Sequence, residues 1–332
     1  MDLIMNYFSS LIYPQIADDF FTTYWRKKKL HITQSKIDIE NLFSTGKLSY
    51  LLNTHAYSLS YPEVRMTMDG NPVAVSEYLE EVDYFIKLEN NEKKNKISPA
   101  KVNSFLSKGA SLILSDISEY DIGLQSLVQS ISREIDEKLN VVLFFSFPSK
   151  RSFYPHKDVP DIFSIQIEGE KKWLFYEGDP TENNDPGAGP PEYSAPAEEV
   201  ILRGGDVLYI PSGMWHTAMA EGTKPSLSVN LIVGCRQKID LATQIIEDYL
   251  FPKIVKDNYF SELMTVCRRD DLESAKRKDL HALIEEVKCK IKNHLEALSS
   301  EEIEIIVDSF AKSRSRFTST FDHPFDMESY LK

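Results

Sequence analysis

Two histidines and one aspartate have the residue types and spacing of a metal site. His156 and Asp158 are two residues apart, and side chains at positions i and i+2 of an extended segment point to the same side. His216 follows on the far side of a stretch rich in Pro and Gly. Two imidazoles and one carboxylate on one side of an ion leave its other coordination positions open, as in the non-haem Fe(II) sites that activate O2. The sequence therefore predicts a metal site at these three residues.

The segment before His216 favours this interpretation more than the spacing does. Residues 205–215 predict a turn, a buried strand and then a Pro/Gly bend. Such a bend ends the strand and directs His216 back toward the interior of the sheet. The alternative is a core histidine that packs beside Trp215.

Lys171 is predicted to face the same interior. Residues 162–168 alternate between apolar and polar side chains, and Gly169-Glu170 can form a two-residue turn because glycine tolerates a positive φ. Lys171 would then lie opposite Glu168 on the polar face, where its ammonium group could bind a carboxylate. The alternative is a cross-strand pair between Lys171 and Glu168 at the surface.

A later strand also has one polar face. Residues 226–231 alternate, with Ser226, Ser228 and Asn230 on the same side. Small polar groups that face the inside of a barrel suit a polar ligand or ordered water. Alternation alone leaves open that this face points to solvent.

The elements that must position these residues change in character along the chain. Residues 1–95 predict mixed α/β structure, with a helix over 18–25 and a strand over 30–33, and residues 90–98 are predicted to be an exposed connection. Short strands without intervening helices then predict an antiparallel sandwich or barrel. We therefore predict three segments: an N-terminal mixed segment (1–95), a β core (96–238) and a C-terminal helical region (239–332).

Two further segments have a composition of their own, a loop within the β core and a stripe in the helical region. Residues 178–197 are dense in Pro, Gly, Asn and Asp, which predicts a surface loop that could act as a lid. In the helical region, apolar residues recur on one helix face, and a capping box begins a last helix at residues 299–302. That apolar face is either an intramolecular core or the interface of a homodimer.

Charge and composition argue against several classes of protein. A formal net charge of −13 repels phosphate backbones, so direct nucleic-acid binding is not expected. No apolar run has the length of a membrane span, and the N-terminus lacks the pattern of a signal peptide. The three cysteines form no CxxC pair, which predicts a reducing, cytoplasmic location.

Three motifs in this order resemble the Jumonji-C oxygenases. They read FYPHKDV at 153–159, FSIQIEGEKKW at 163–173 and GDVLYIPSGMWH at 205–216. Within that family the chain looks most similar to the ribosomal-oxygenase and asparaginyl-hydroxylase-like branch, which the segment YWRKKKLHI at 24–32 also resembles. The resemblance covers roughly residues 18–234.

The resemblance implies a fold, a cofactor and roles for individual residues. The implied fold is a double-stranded β-helix, the jelly roll of cupins, with Fe(II) as the metal and 2-oxoglutarate as cosubstrate. By motif position, the iron ligands would be His156, Asp158 and His216. Lys171 would pair with the distal carboxylate of 2-oxoglutarate, while Ser228 and Asn230 would lie near the cosubstrate.

The chain departs from the pattern of ribosomal oxygenases at two places. Residues 142–144 read Val-Leu-Phe where those enzymes usually have Asn-x-Tyr, and Phe153 stands where a small residue is common. The first change removes polar groups from the predicted pocket, and the second changes how the cosubstrate is expected to pack.

Three functions follow from the sequence. The first is O2-dependent hydroxylation of an amino-acid side chain, of the asparaginyl, histidyl or arginyl type, in a protein or peptide. The second is hydroxylation of a free amino acid or small metabolite, and the third is a non-redox metal-binding cupin or an inactive interaction scaffold.

Overall fold

The computed structural model describes residues 7–56, 59, 62–87, 90–148, 151–177, 196–234, 238–261 and 273–315. The chain divides into two units, residues 1–235 and 236–332. The predicted loop at 178–197 lies almost entirely outside the described residues, so its role as a lid stays a prediction. The predicted boundary between the N-terminal segment and the β core at residue 95 also stays a prediction.

Thirteen described strands dominate the first unit. They are β1 (Leu30–Ile32), β2 (Val64–Met68), β3 (Asn71–Pro72), β4 (Leu79–Lys87), β5 (Asn90–Ile97), β6 (Ser111–Ser115), β7 (Leu139–Ser146), β8 (Asp161–Glu168), β9 (Glu170–Phe175), β10 (Glu198–Arg203), β11 (Val207–Ile210), β12 (His216–Glu221) and β13 (Ser226–Val233). Six described α-helices accompany them: α1 (Tyr7–Ile12), α2 (Ala17–Thr23), α3 (Ile39–Leu42), α4 (Thr45–Thr54), α5 (Pro99–Ser107) and α6 (Ile122–Ile135).

The strands form one large and two small antiparallel sheets. The large sheet has eight strands in the order β1-β11-β8-β13-β7-β6-β2-β3, and the small ones are β10-β9-β12 and the hairpin β4-β5. This arrangement confirms the predicted jelly-roll core with additional helices. The predicted exposed connection at 90–98 is wrong, because residues 90–97 pair with β4 as a strand.

The two faces of the large sheet have different chemistry. On β13, Leu227, Val229 and Leu231 are fully buried in the main hydrophobic core, which also includes the apolar side of α6. The intervening residues Ser228 and Asn230 are equally inaccessible but point to the other face, as the period of two requires. The polar face of β13 therefore looks into the protein rather than to solvent.

The chain crosses from the large sheet to a small one at Gly169. β8 pairs with β11 and β13, whereas β9 pairs with β10 and β12. The predicted hairpin between β8 and β9 is therefore wrong. Gly169 has a φ of +69°, and a Cβ atom built there would lie 2.1 Å from the carbonyl oxygen of Pro225. The corner needs glycine for its backbone conformation and for the close approach of a neighbouring segment.

Replacing Gly169 by Ala is expected to lower the free energy of unfolding by more than about 2 kcal/mol, because it combines backbone strain with a steric clash. Urea denaturation followed by circular dichroism measures this loss. Gly222→Ala is the matched control, since Gly222 has a φ of +78° but no atom within 4 Å of its built Cβ. The control should lose only about 1 kcal/mol. Equal losses in the two variants would contradict the role assigned to the clash.

The second unit is helical, as predicted. Its described helices are α7 (Lys238–Gln244), a π-helical turn (Ile245–Leu250), α8 (Phe251–Lys256), α9 (Asn258–Ser261), α10 (Glu273–Glu296) and α11 (Ser300–Ser315). The predicted capping box begins α11: Glu302 N donates to Ser299 Oγ at 3.1 Å, and Ser299 N donates to Glu302 Oε2 at 2.8 Å. Within the described residues, no helix is both long enough and apolar enough to span a bilayer.

Candidate active site

The two predicted histidine ligands lie side by side because their backbones pair. His156 N donates to the carbonyl oxygen of His216 at 2.9 Å, and His216 N donates to that of His156 at 2.8 Å. This single bridge joins the segment after β7 to the start of β12. The two imidazole rings consequently have centroids only 4.6 Å apart.

Asp158 completes the cluster. Its Oδ2 lies 3.3 Å from Nε2 of His216 and 3.7 Å from Nε2 of His156. The carbonyl oxygen of Asp158 accepts a hydrogen bond from Gly213 N at 2.8 Å, which ties the carboxylate segment to the bend before β12. One donor atom from each of the three residues lies within 4.8 Å of the others. The structure thus brings the predicted ligands together.

Backbone carbonyls fix which nitrogen each histidine offers. His156 Nδ1 is 2.8 Å from the carbonyl oxygen of Tyr154, and His216 Nδ1 is 2.9 Å from that of Met214. Because a carbonyl oxygen only accepts, each Nδ1 carries the hydrogen. The lone pair is therefore on Nε2, the atom that faces Asp158, as in histidines that bind metals.

The protonation states suit a cation. Burial, together with the nearby charge of His216, lowers the pKa of His156. Burial alone would raise the pKa of Asp158, but the interaction of its carboxylate with the two neighbouring histidines outweighs burial and lowers that pKa. Neutral imidazole next to an ionised carboxylate is the form that coordinates a metal. Two imidazoles and one carboxylate are also the donor set that suits Fe(II) with open positions.

Lys171 lies inside the same cavity, although not through the predicted hairpin. Its side chain is 3% exposed, and its Nζ donates to Ser228 Oγ at 2.6 Å and lies 5.0 Å from the centre of the Phe144 ring. Burial lowers the pKa of Lys171 to about 7. Glu168 faces elsewhere, accepting hydrogen bonds from the backbone N–H and the hydroxyl of Thr45. The surface pair between Lys171 and Glu168 is therefore not formed.

The predicted polar residues of β13 have partners inside the fold. Asn230 Oδ1 accepts a hydrogen bond from Ser164 Oγ at 2.9 Å, and Asn230 lines the cavity. Ser228 is fully buried and bonds Lys171. Ser226 Oγ accepts from Gln166 Nε2 at 2.9 Å. Both Lys171 and Asn230 thus reach the space next to the metal-ligand cluster.

The cavity has a volume of about 370 Å³. Its described lining consists of Arg65, Val142, Phe144, Ser152, Phe153, His156, Asp158, Pro160, Ile162, Lys171, Trp173, His216, Ala218, Asn230 and Ile232. The apolar residues 142 and 144 that replace the Asn-x-Tyr pattern both line it. The sequence reasoning missed Arg65, although the alternation of Val64, Arg65 and Met66 on β2 could have indicated a side chain opposite the core.

The strands that carry this cluster match a known family. A family profile described as JmjC domain matches residues 123–239. The chain contains a JmjC domain. Its matched part includes all three clustered donors, Lys171 and the polar face of β13.

Several curated proteins are similar to this chain. Each is described as a bifunctional lysine-specific demethylase and histidyl-hydroxylase NO66. The Aedes aegypti protein is 26% identical over 232 residues, covering 68% of this chain and 34% of its own length. The Drosophila sechellia protein is 32% identical over 146 residues, covering 42% of this chain and 22% of its own length. The chain thus spans about a third or less of these relatives.

Solved structures share the fold of this chain. The Escherichia coli ribosomal oxygenase YcfD superposes with a TM-score of 0.53 at 18% identity, covering 90% of this chain and 71% of that one. A second structure of YcfD, in complex with cobalt and 2-oxoglutarate, gives a TM-score of 0.53 at 16% identity over the same shares. At these identities the likeness shows the jelly-roll fold.

Proposed function

We propose that this JmjC protein is an Fe(II)- and 2-oxoglutarate-dependent dioxygenase that hydroxylates an amino-acid side chain in a protein or peptide. The observation that carries the proposal is the convergence of His156, Asp158 and His216 within 4.8 Å, in a cavity that also contains the buried amine of Lys171. A metal site alone would suit many reactions. The added buried cation suits an enzyme that anchors an anionic cosubstrate next to the metal.

Each predicted ligand has a defined task in this proposal. Nε2 of His156, Nε2 of His216 and the carboxylate of Asp158 hold the iron, and the carbonyl partners of Nδ1 keep both rings oriented. When bound, Fe(II) and 2-oxoglutarate supply the chemistry that inserts an oxygen atom of O2 into a C–H bond, with succinate and CO2 as products. The apolar wall of the cavity excludes water and keeps the reacting groups in place.

The cosubstrate site is assigned to three residues. The Lys171 ammonium group pairs with the distal carboxylate of 2-oxoglutarate, while Ser228 Oγ holds the amine in position through its 2.6 Å hydrogen bond. Asn230 lines the cavity from the same strand and offers its amide N–H group, because its Oδ1 already accepts from Ser164.

A polypeptide is the proposed substrate because NO66 is described as a demethylase and histidyl-hydroxylase and YcfD as a ribosomal oxygenase. Hydroxylation is proposed because nothing in the sequence favours demethylation over it. A cytoplasmic location, from the cysteine usage, belongs to the same proposal. So does a homodimer formed through the helical unit, where Ile284, Ile303 and Val307 are each about half exposed.

Anaerobic reconstitution with Fe(II) and 2-oxoglutarate, followed by admission of oxygen, tests the proposal. The expected result is succinate that requires the metal, the cosubstrate and oxygen together. Screening peptides and free amino acids for faster release then separates the polypeptide substrate from a small metabolite. Failure of the protein to bind both iron and 2-oxoglutarate would contradict the proposal and favour a non-redox cupin or scaffold.

The affinity for 2-oxoglutarate is expected to fall about tenfold per pH unit above pH 7. The reason is that the pKa of the free Lys171 amine is about 7, and only its protonated form pairs with a carboxylate. Calorimetric titration of the Mn(II)-loaded protein between pH 6 and about pH 9 measures this dependence. Lys171→Arg is the control, since a guanidinium stays charged and should remove the dependence. An affinity that is constant over this range in the wild type would contradict the assignment.

A further inference from the structure

Arg65 is a cation in the cavity wall that the proposed reaction does not use. It lies on β2 between Val64 and Met66, whose side chains are buried in the main hydrophobic core. Alternation along the strand turns Arg65 to the opposite face, where it lines the cavity that contains the metal-ligand cluster. Its guanidinium therefore points toward the space where a substrate would bind.

The guanidinium lacks an anionic partner within the described residues. Its Nε is buried without a hydrogen-bond partner, and its Nη2 donates to Ser115 Oγ at 3.3 Å. A buried donor that has lost water without gaining an acceptor costs free energy. A carboxylate bound at the cavity side of the guanidinium would supply the missing negative charge, because the planar fork of arginine donates two parallel hydrogen bonds to such a group.

A second donor without a partner lies on the same face. Thr67 follows two residues after Arg65 on β2, and it is 3% exposed. Its Oγ1 is buried and also lacks a hydrogen-bond partner in the described part of the chain. Two polar side chains of one strand thus point the same way with unused hydrogen-bonding capacity. Thr67 is not among the described residues that line the cavity, so a site for an anion is assigned to Arg65 alone.

This end of the cavity is separate from the Lys171 end. In the large sheet, Arg65 of β2 lies opposite Ile113 of β6, and Ile113 lies opposite Phe144 of β7. Phe144 in turn lies opposite Ser228 of β13, the partner of Lys171. Adjacent strands are about 4.8 Å apart, so roughly 14 Å separates the backbones of Arg65 and Ser228. The ring of Phe144 comes between them in the same row. The two cations therefore reach the cavity from opposite ends of this row of residues.

We infer that Arg65 binds a carboxylate of the substrate that is oxidised. This inference rests on the proposed function and narrows its substrate class. The carboxylate belongs either to an Asp or Glu side chain of a peptide or to the main chain of a free amino acid. Recognition is local, since the net charge of −13 offers no long-range attraction to an acidic partner.

Binding measurements on matched acid and amide pairs test the inference. The peptide pair is acetyl-Ala-Asp-Ala-amide against acetyl-Ala-Asn-Ala-amide, and the amino-acid pair is L-asparagine against L-asparaginamide. Each compound is titrated by calorimetry into the anaerobic Mn(II)-loaded protein, with and without saturating 2-oxoglutarate. The acid of at least one pair is expected to bind about tenfold more tightly than its amide. The pair that shows the preference identifies the source of the carboxylate.

Substitutions of Arg65 assign the preference to this side chain. In Arg65→Gln the acid and its amide should bind equally, and Arg65→Lys should restore part of the difference. Arg203→Gln is the matched control, because the Arg203 side chain is 62% exposed and pairs with Glu170 on the other sheet. If the wild type shows no acid preference in either pair, or if Arg65→Gln keeps it, the inference is wrong.

Different results would contradict the oxygenase proposal and the role of Arg65. Succinate release without an acid preference would leave the oxygenase assignment in place and remove the role of Arg65. The titration without 2-oxoglutarate decides the role of Arg65 even if the cosubstrate does not bind. Should Arg65→Gln fail to fold in a thermal melt, the wild-type pairs and the Arg65→Lys variant still decide between the two outcomes.

Discussion

The Asp158→Ala protein is expected to release succinate at least about 100-fold more slowly than the wild type. Asp158 provides the carboxylate of the donor set, with Oδ2 within 3.7 Å of Nε2 on both histidines. Without it, no negative charge beside the two imidazoles balances a divalent cation. Iron content should fall together with turnover. Succinate release and metal analysis on the same preparation measure both effects.

The fold should survive this substitution. The side chain of Asp158 is 34% exposed, and the hydrogen bond from Gly213 goes to its backbone carbonyl, which alanine retains. The melting temperature should therefore change by only a few degrees. Asp19→Ala, which removes an exposed carboxylate from α2, is the matched control and should keep full turnover. Wild-type succinate release by Asp158→Ala would overturn the ligand assignment.

Lys171→Met is expected to weaken 2-oxoglutarate binding by about 100-fold, since removing one partner of a buried charge pair costs roughly 2–5 kcal/mol. The same variant should be more stable than the wild type by about 1–4 kcal/mol at neutral pH, because methionine fills the volume of a lysine without a buried charge. Calorimetric titration with 2-oxoglutarate and urea denaturation measure the two effects. If Lys171→Met gains stability and loses affinity for 2-oxoglutarate, the buried charge of Lys171 serves cosubstrate binding rather than folding.

The pH dependence of this stability has a defined sign. The pKa of Lys171 in the folded protein is about 7, below the ordinary value of 10.5, so the folded state binds fewer protons between these limits. The stability contribution of the wild-type lysine therefore rises with pH across that window. The advantage of Lys171→Met should be largest at pH 7 and below and should vanish near pH 10.5. An advantage that does not change with pH would mean that packing, rather than charge, explains it.

Local patterns predicted much of the site. The His-x-Asp spacing, the bend before His216 and the alternation of β13 each concern a few neighbouring residues, and period-two geometry is a local property of the backbone. The structure brings the three predicted donors together and turns Ser228 and Asn230 inward. The structure of the charged segment 90–97 was predicted incorrectly, because pairing with β4 outweighs a polar composition that is typical of connections.

Lys171 shows how a correct position can follow from an incorrect element. The predicted hairpin would have placed it opposite Glu168, but the chain changes sheets at Gly169 and β9 pairs with β10 and β12 instead. Alternation along β9 still points Lys171 inward, and the facing sheet supplies Ser228 as its partner. A local pattern determines which side chains share a face, whereas the pairing of distant strands determines what that face meets.

The sequence by itself determined the residue types of the site, the strand periodicity and the jelly-roll class of the core. Only the tertiary structure decided that His156 pairs with His216, that Lys171 is fully desolvated and that Arg65 joins the cavity from β2. The physical reason is that burial and missing partners depend on which remote segments exclude water from a group. Strand order in the large sheet, where β2 lies next to β6 and β6 next to β7, is such a long-range property.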